Sequence, residues 1–299
     1  VMQGAHSDAA IAFKAAASLD DSNVAAQMGL VECLLGLNSV KDAWNRKELL
    51  VDLVASMGGE PVKLTFLSAV LARIKEKRIS EGLKRLDMCR KAHLAAYDTA
   101  LAATGPSIDA LVSLDPQFVL QVVEEYMLHV SAEPISAGSA VPPALSAMVN
   151  LTDMLTRVLP GCTQGLFCLA RAQYLQANFD AALHTLNMLF DRQDSHAQGQ
   201  LLRAQIYLAT GDTQAAEQAV ASALADDMNV QKTTLYFLLK AKVLEGKGLA
   251  EDQLALLEEA LQLQGMNKVA KAGGSAADTF ARANIYSMLI GSYMSYDRH

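Results

Sequence analysis

With 299 residues the chain can hold two ordinary domains or one long repeat array, so length leaves both open. Apolar residues make up 52% and aromatics 6%, with seven prolines and no period-two runs of Val, Ile and Thr, which excludes a β-rich fold in favour of helices. A formal charge of −7 gives no global pull towards nucleic-acid phosphates; with no apolar run of about eighteen residues and no basic-then-apolar leader, neither a membrane span nor a secretory signal is expected.

Residues 1–57 predict paired helices. Ala10, Lys14 and Ala17 mark a second helix whose partner is missing, and 20–23 (Asp-Asp-Ser-Asn) caps the next. Met28, Val31 and Leu35 then give a first helix, with its partner over 43–53. Residues 58–130 predict less regular helical pairs. Leu64, Leu67, Leu71 and Ile74 recur at helical spacing, as do Leu83, Leu86, His93 and Leu94. An amphipathic run over 114–130 opens with Asp115-Pro116, where Asp can cap and Pro suits the first turn. Between Arg73 and Lys91 lie eight basic residues against three acidic ones, a local charge of +5. Lys77, Lys84 and Lys91 are seven apart and share a stripe if one helix carries them; with Arg78 and Arg85 they form a candidate partner-binding patch.

Residues 131–143, with three prolines and a glycine, predict a loop. The clearest order follows over 144–262. Met148, Ala182 and Ala216 are 34 residues apart, and Ala170 and Ala204 stand twelve before the latter two. Small residues at such positions let two antiparallel helices approach to about 8–10 Å without their ridges colliding. A period of 34 in a helix-turn-helix unit is that of the tetratricopeptide repeat. A further repeat, with Ala241 and Ala260 as its small positions, carries a three-residue insertion taken up before Thr234. Residues 263–279, with Lys-Ala-Gly-Gly-Ser-Ala at 271–276, predict a second loop, and 280–299 a first helix without its partner. The fold expected is therefore all-α, one tetratricopeptide-like right-handed α-solenoid of stacked antiparallel helix pairs. Both ends cut a repeat in half, which suggests a piece of a longer protein.

No chemistry-bearing motif accompanies the repeats. The sequence has no H-E-x-x-H, G-x-S-x-G or phosphate-loop run, and 246–248 (Gly-Lys-Gly) is a turn signal. His184 has no His or Cys at i±4, only Asp180 at i−4, which is too few groups for a ligand set, and it reads as a surface or boundary residue of a second helix. Cys33, Cys89, Cys162 and Cys168 show no C-x-x-C pairing, so buried thiols are expected rather than a zinc site or disulfides, and no cofactor is expected. An enzyme is not indicated. Partner contacts are expected instead along the concave face, where the repeat register points Arg171, Tyr174, Gln205 and Lys242 inward. This set does not match the Lys and Asn clamp with which other tetratricopeptide proteins hold chaperone tails.

Two stretches are more specific than the generic repeat. Residues 114–126 (L-D-P-Q-F-V-L-Q-V-V-E-E-Y) resemble an L-x-P-x-F-L-x-x-I-V-x-E-Y segment of the large tetratricopeptide subunit of intraflagellar transport complex A. Residues 235–241 (L-Y-F-L-L-K-A) and 261–268 (L-Q-L-Q-G-M-N-K) are similar to that family's L-Y-H-L-I-K-A and L-x-L-P-G-M-K, with Gln264 where the family has Pro. The resemblance implies a non-enzymatic scaffold in retrograde ciliary transport and ciliary entry of membrane cargo. It implies other complex A subunits as partners, WD-repeat ones included, with ciliary cargo adaptors besides. It also implies residence in the cilium or flagellum, at the basal body and in the cytoplasm. The alternatives are a tetratricopeptide adaptor of another multisubunit complex and a helical-repeat RNA binder. The acidic charge and the period of 34 weigh against the latter.

Overall fold

The computed structural model describes residues 2–55, 61–75, 77–136, 138–263 and 276–296. Among them are helices joined by turns and no strand. The 261–268 stretch and the loop expected over 263–279 fall largely on 264–275, outside the described residues. The chain divides into two compact units, Val1–His129 and Val130–His299. The division falls at the head of the segment expected as a loop, which has no helix to carry an apolar face forward.

The first unit comprises α1 (Met2–Leu19), α2 (Val24–Gly36), α3 (Val40–Ala55), α4 (Val62–Ile74), α5 (Ile79–Thr104), α6 (Ile108–Leu114) and α7 (Pro116–Met127). One core gathers Val31, Ala43, Leu50, Val54, Leu64, Leu67 and Leu71, drawn from α2, α3 and α4. The amphipathic run opens as expected, with Asp115 as cap and Pro116 in the first turn of α7. Leu114 ends α6, Asp115 turns into the left-handed region (φ 41°), and its carboxylate accepts the Phe118 N–H at 3.2 Å to open α7. His93 on α5 donates through Nε2 to the Leu114 carbonyl at 2.7 Å, satisfying an acceptor that the end of α6 leaves open.

The α7 segment shows what its sequence is for. Phe118 packs edge-on against Phe66 and His93, and Val119, Val122, Val123 and Tyr126 are buried. Glu125 accepts from Arg73 Nε at 2.6 Å and from its NH2 nitrogen at 3.0 Å, while His129 stands 3.5 Å away. Burial alone would push the Glu125 carboxyl up; hydrogen bonds from His129 and Arg73 outweigh it and hold the group below its ordinary range. This is a forked, desolvated pair, and stranding either charge by removing the other would cost about 3–5 kcal/mol.

The second unit comprises α8 (Pro143–Val158), α9 (Thr163–Leu175), α10 (Phe179–Phe190), α11 (Ala197–Thr210), α12 (Thr213–Asp226), a 3-10 turn (Met228–Lys232), α13 (Thr234–Gly246), α14 (Ala250–Ala260) and α15 (Ala276–Tyr296). Ala170, Ala182, Ala204, Ala216, Ala241 and Ala260 are all completely buried. Each lies on one of the paired helices α9/α10, α11/α12 and α13/α14. The 3-10 turn absorbs the three extra residues before α13 and seats Val230 in the core.

One turn geometry recurs between paired helices. The N–H groups of Ser39, Asn178, Asp212 and Leu249 each reach back five residues, to the carbonyls of Leu34, Gln173, Tyr207 and Leu244, at 2.8–3.0 Å. This is the helix-ending closure that needs a left-handed residue one position earlier. Gly211 (φ 85°) and Gly248 (φ 74°) adopt it without strain, but Asn38 (φ 60°) and Ala177 (φ 58°) are not glycine. A left-handed alanine costs roughly 1–2 kcal/mol, offset in part by the extra freedom glycine has in the unfolded chain. Ala177→Gly is therefore expected to raise stability by about 0.5–1 kcal/mol, and Ala182→Leu to lower it by about 1–3 kcal/mol through overpacking at the crossing. Urea denaturation followed by circular dichroism reads both. A glycine variant no more stable than the parent, or a leucine variant no less stable, would refute the corresponding account.

Candidate partner-binding groove

The first helices of the second unit's repeats turn three rows of side chains to one side. On α9 the positions are Phe167, Arg171 and Tyr174, at i, i+4 and i+7, a spacing that keeps them on one face. Thirty-four residues on, α11 repeats them as Leu201, Gln205 and Leu208; on α13, after the insertion, they are Leu238, Lys242 and Glu245. All nine line two adjoining cavities of about 420 and 510 Å³ that share Tyr174, Gln205 and Leu238. The rows thus comprise an apolar rung of Phe167, Leu201 and Leu238, a polar rung of Arg171, Gln205 and Lys242, and a mixed third. The predicted groove residues Arg171, Tyr174, Gln205 and Lys242 are brought together on one wall.

Two further walls could not be read from the repeat. Residues Ala132, Glu133 and Pro134 line the cavities, held there because the next residue, Ile135, donates its N–H to the Leu175 carbonyl at 2.9 Å. The segment expected as a loop is therefore part of the groove. Phe280 of α15 closes the other side, from beyond the stretch that is not described. Burial, with Glu133 adding to it, pushes the Tyr174 phenol up to about 12, so it stays a neutral hydrogen-bonding group.

The N-terminal caps of these helices also recur at 34. Cys162 Sγ accepts the Gly165 N–H at 3.4 Å and His196 Nδ1 accepts the Gly199 N–H at 2.9 Å. A Cβ at Gly165 or Gly199 would press at 3.0–3.3 Å on the cap and on the preceding helix's side chains, which explains glycine at both. His196 also stacks on the groove residue Phe167 with centroids 5.2 Å apart. Neither cap is a residue type that usually announces one, and only the Cys-x-x-Gly and His-x-x-Gly echo at the repeat interval could have exposed them.

The basic stretch is arranged differently from the groove. A turn separates α4 from α5, with Lys77 in the left-handed region (φ 54°) and Arg78 at the N-cap of α5. Of the seven-residue stripe only Lys84 and Lys91 therefore lie on α5. Arg85 pairs with Glu81, and Arg90 and Lys91 both pair with Asp87, at 2.6–3.1 Å. Arg73 belongs to Glu125, and Lys75 stands 4.0 Å over the Trp44 ring. Much of the local +5 is thus engaged within the fold. His184 is exposed on α10. Cys33, Cys89 and Cys168 are buried and Cys162 half-buried, all as free thiols; burial pushes Cys89 up to about 12. Among the described residues no three His, Cys, Asp or Glu side chains converge as a metal site would need, and no helix is long and apolar enough to cross a membrane.

Antiparallel helix pairs that stack through alanine crossings and turn their first helices inward define the class, a helix-pair repeat protein of tetratricopeptide type. A solved tetratricopeptide repeat protein from Parabacteroides merdae shares this fold, with a TM-score of 0.57 at 13% identity over 97% of this chain and 93% of that one. A family model described as "Tetratricopeptide repeat protein 21 second ARM domain" matches residues 1–211, and the chain belongs to the tetratricopeptide repeat protein 21 family. It is 29% identical to human tetratricopeptide repeat protein 21B over 295 residues, which is 97% of this chain but 22% of that protein. Mouse tetratricopeptide repeat protein 21A is 24% identical over 81% of this chain and 18% of its own length. The chain thus spans about a fifth of these relatives. The family is the one that the 114–126 and 235–268 stretches resemble.

His196 supplies a titration test of the groove's frame. Burial holds its imidazole below the ordinary value of 6.5. Between 6.5 and the lower folded value the unfolded chain binds the extra proton, so stability present above 6.5 is lost as the pH falls through that window. Protonation would also put a hydrogen on Nδ1, the atom that accepts from Gly199. His196→Asn keeps a cap acceptor without the titration and is expected to show a smaller drop in melting temperature between about pH 7 and about pH 5. Identical pH profiles for the two chains would remove His196 from the frame.

Proposed function

We propose that this segment is a non-catalytic docking platform of intraflagellar transport complex A, serving retrograde ciliary transport and the entry of membrane cargo into cilia. Its partners in this reading are other complex A subunits, WD-repeat ones included, together with ciliary cargo adaptors, and it works in the cilium or flagellum, at the basal body and in the cytoplasm. Family membership supports the complex. The observation that carries the docking role is the three-rung groove, whose apolar rung gives area and whose polar rung gives direction along the helix stack. Such an open trough suits an extended polypeptide.

The test is affinity purification of the full-length protein from ciliated cells, unaltered and with Gln205→Glu and Lys242→Glu together. These positions line the groove and lie outside the alanine crossings. The unaltered protein is expected to bring down complex A subunits. The double variant is expected to keep its helical circular dichroism while losing at least one of them by about tenfold, because two new carboxylates reverse the charge of the polar rung and repel an acidic partner segment. Recovery of no complex A subunit by the unaltered protein would sink the assignment. An unchanged set on the variant would move the docking role off this groove.

A further inference from the structure

The groove contains a charge that the fold does not use. Arg171 stands in the polar rung with most of its surface covered, and among the described residues it makes no ion pair and no hydrogen bond through its guanidinium. Four other arginines meet a carboxylate, Arg73 with Glu125, Arg85 with Glu81, Arg90 with Asp87 and Arg157 with Asp153, while Arg203 lies over the Phe190 ring. Two nearby carboxylates, Asp226 and Asp227, are already engaged, and Glu133 and Glu245 line the adjoining cavity without an ion pair to Arg171. Asp226 accepts the His196 N–H, and Asp227 accepts from both nitrogens of Asn229. Burial is the largest influence on Arg171 and works against its charge, so the fold bears a desolvation cost that no ion pair among the described residues offsets. Beside the guanidinium lies the apolar hollow of Phe167, Leu201, Leu202, Val230 and Leu238.

We propose, resting on the docking reading above, that the groove takes an extended partner segment in which an Asp or Glu side chain forks onto Arg171 while a neighbouring large apolar side chain fills that hollow. A guanidinium offers a carboxylate two parallel donors, and desolvation strengthens the pair. The charge balance selects a carboxylate over a phosphate. Arg171 carries one charge and can pair with one carboxylate, whereas a phosphate dianion would bring a second negative charge towards Glu133 and Asp227, which also line the two cavities. The hollow's volume of about 420 Å³ suits one or two side chains rather than a folded element. Lys242 lines only the adjoining cavity, not the apolar hollow, and is not the anchor.

The experiment is a selection of random, unmodified peptides by messenger-RNA display on the 299-residue chain, on Arg171→Gln and on Lys242→Gln in parallel. On the unaltered chain, enriched sequences are expected to place Asp or Glu beside a large apolar residue. The best of them, labelled and titrated by fluorescence anisotropy, is expected to bind Arg171→Gln about tenfold or more weakly and Lys242→Gln within about twofold. Replacing its acidic residue by the amide should cost the same on the unaltered chain and almost nothing further on Arg171→Gln, the coupling that marks a direct pair. Enriched sequences without an acidic preference would overturn the proposal. So would an acidic preference that survives Arg171→Gln, which would leave the groove a docking site with another anchor. Enrichment of no peptide on any chain would overturn the docking reading itself. If Arg171→Gln fails to fold, Arg171→Lys, which keeps the charge and loses the fork, is expected to bind with intermediate affinity, and full affinity would count against the forked pair.

Discussion

The close crossing of paired helices is the contact on which the rest of this structure depends. At Ala170, Ala182, Ala204, Ala216, Ala241 and Ala260 a single methyl group stands where two backbones meet, and none of the six is accessible to solvent. Bringing axes that close fixes how the second helix returns along the first. Once the spacing is fixed, larger side chains on the flanks have only one place to go. Leu186, Leu189, Leu257 and their like fill the spaces between neighbouring helices, and the residues of the first helices that turn away from the crossing line a trough. The groove is thus a consequence of small side chains twelve and 34 residues apart.

Turn chemistry sets the same repeat from the other end. The five-residue closure between helices is identical in hydrogen bonding at four turns, yet the left-handed residue is Asn, Ala, Gly and Gly in turn. Helix stacking therefore overrules local backbone preference at Ala177, where the sequence carries no glycine to mark the turn. The caps vary in the same way. Asn178 and Asp212 are ordinary, whereas Cys162 and His196 perform the task with a thiol and an imidazole because a glycine three residues later leaves room for them.

Charge behaves in opposite ways in the two units. In the first, a dense basic stretch is largely absorbed by Glu81, Asp87, Glu125 and the Trp44 ring, so its formal excess overstates the field it presents. In the second, Arg171, beside an apolar hollow, has no ion pair among the described residues. A partly buried, unmatched charge holds more recognition energy than several exposed, matched ones, because water and counter-charges screen the latter.

The sequence by itself determined the helices, the interval of 34, the alanine crossings and the inward row of Arg171, Tyr174, Gln205 and Lys242. All of these follow from spacing along one helix or from one repeat to the next. The specific stretch at 114–126 marked the family, though not what Asp115, Phe118 and Glu125 do in the fold. Only the tertiary structure decided that Glu125 meets Arg73 across 52 residues, that the basic stripe is broken by a turn at Lys77, and that residues 132–134 and Phe280 wall the groove. A period reports which face of a helix a side chain occupies; it carries no information on which distant residue meets that face. Whether a charge is engaged or open depends on that meeting, and so the division between scaffold and candidate site became visible only in three dimensions.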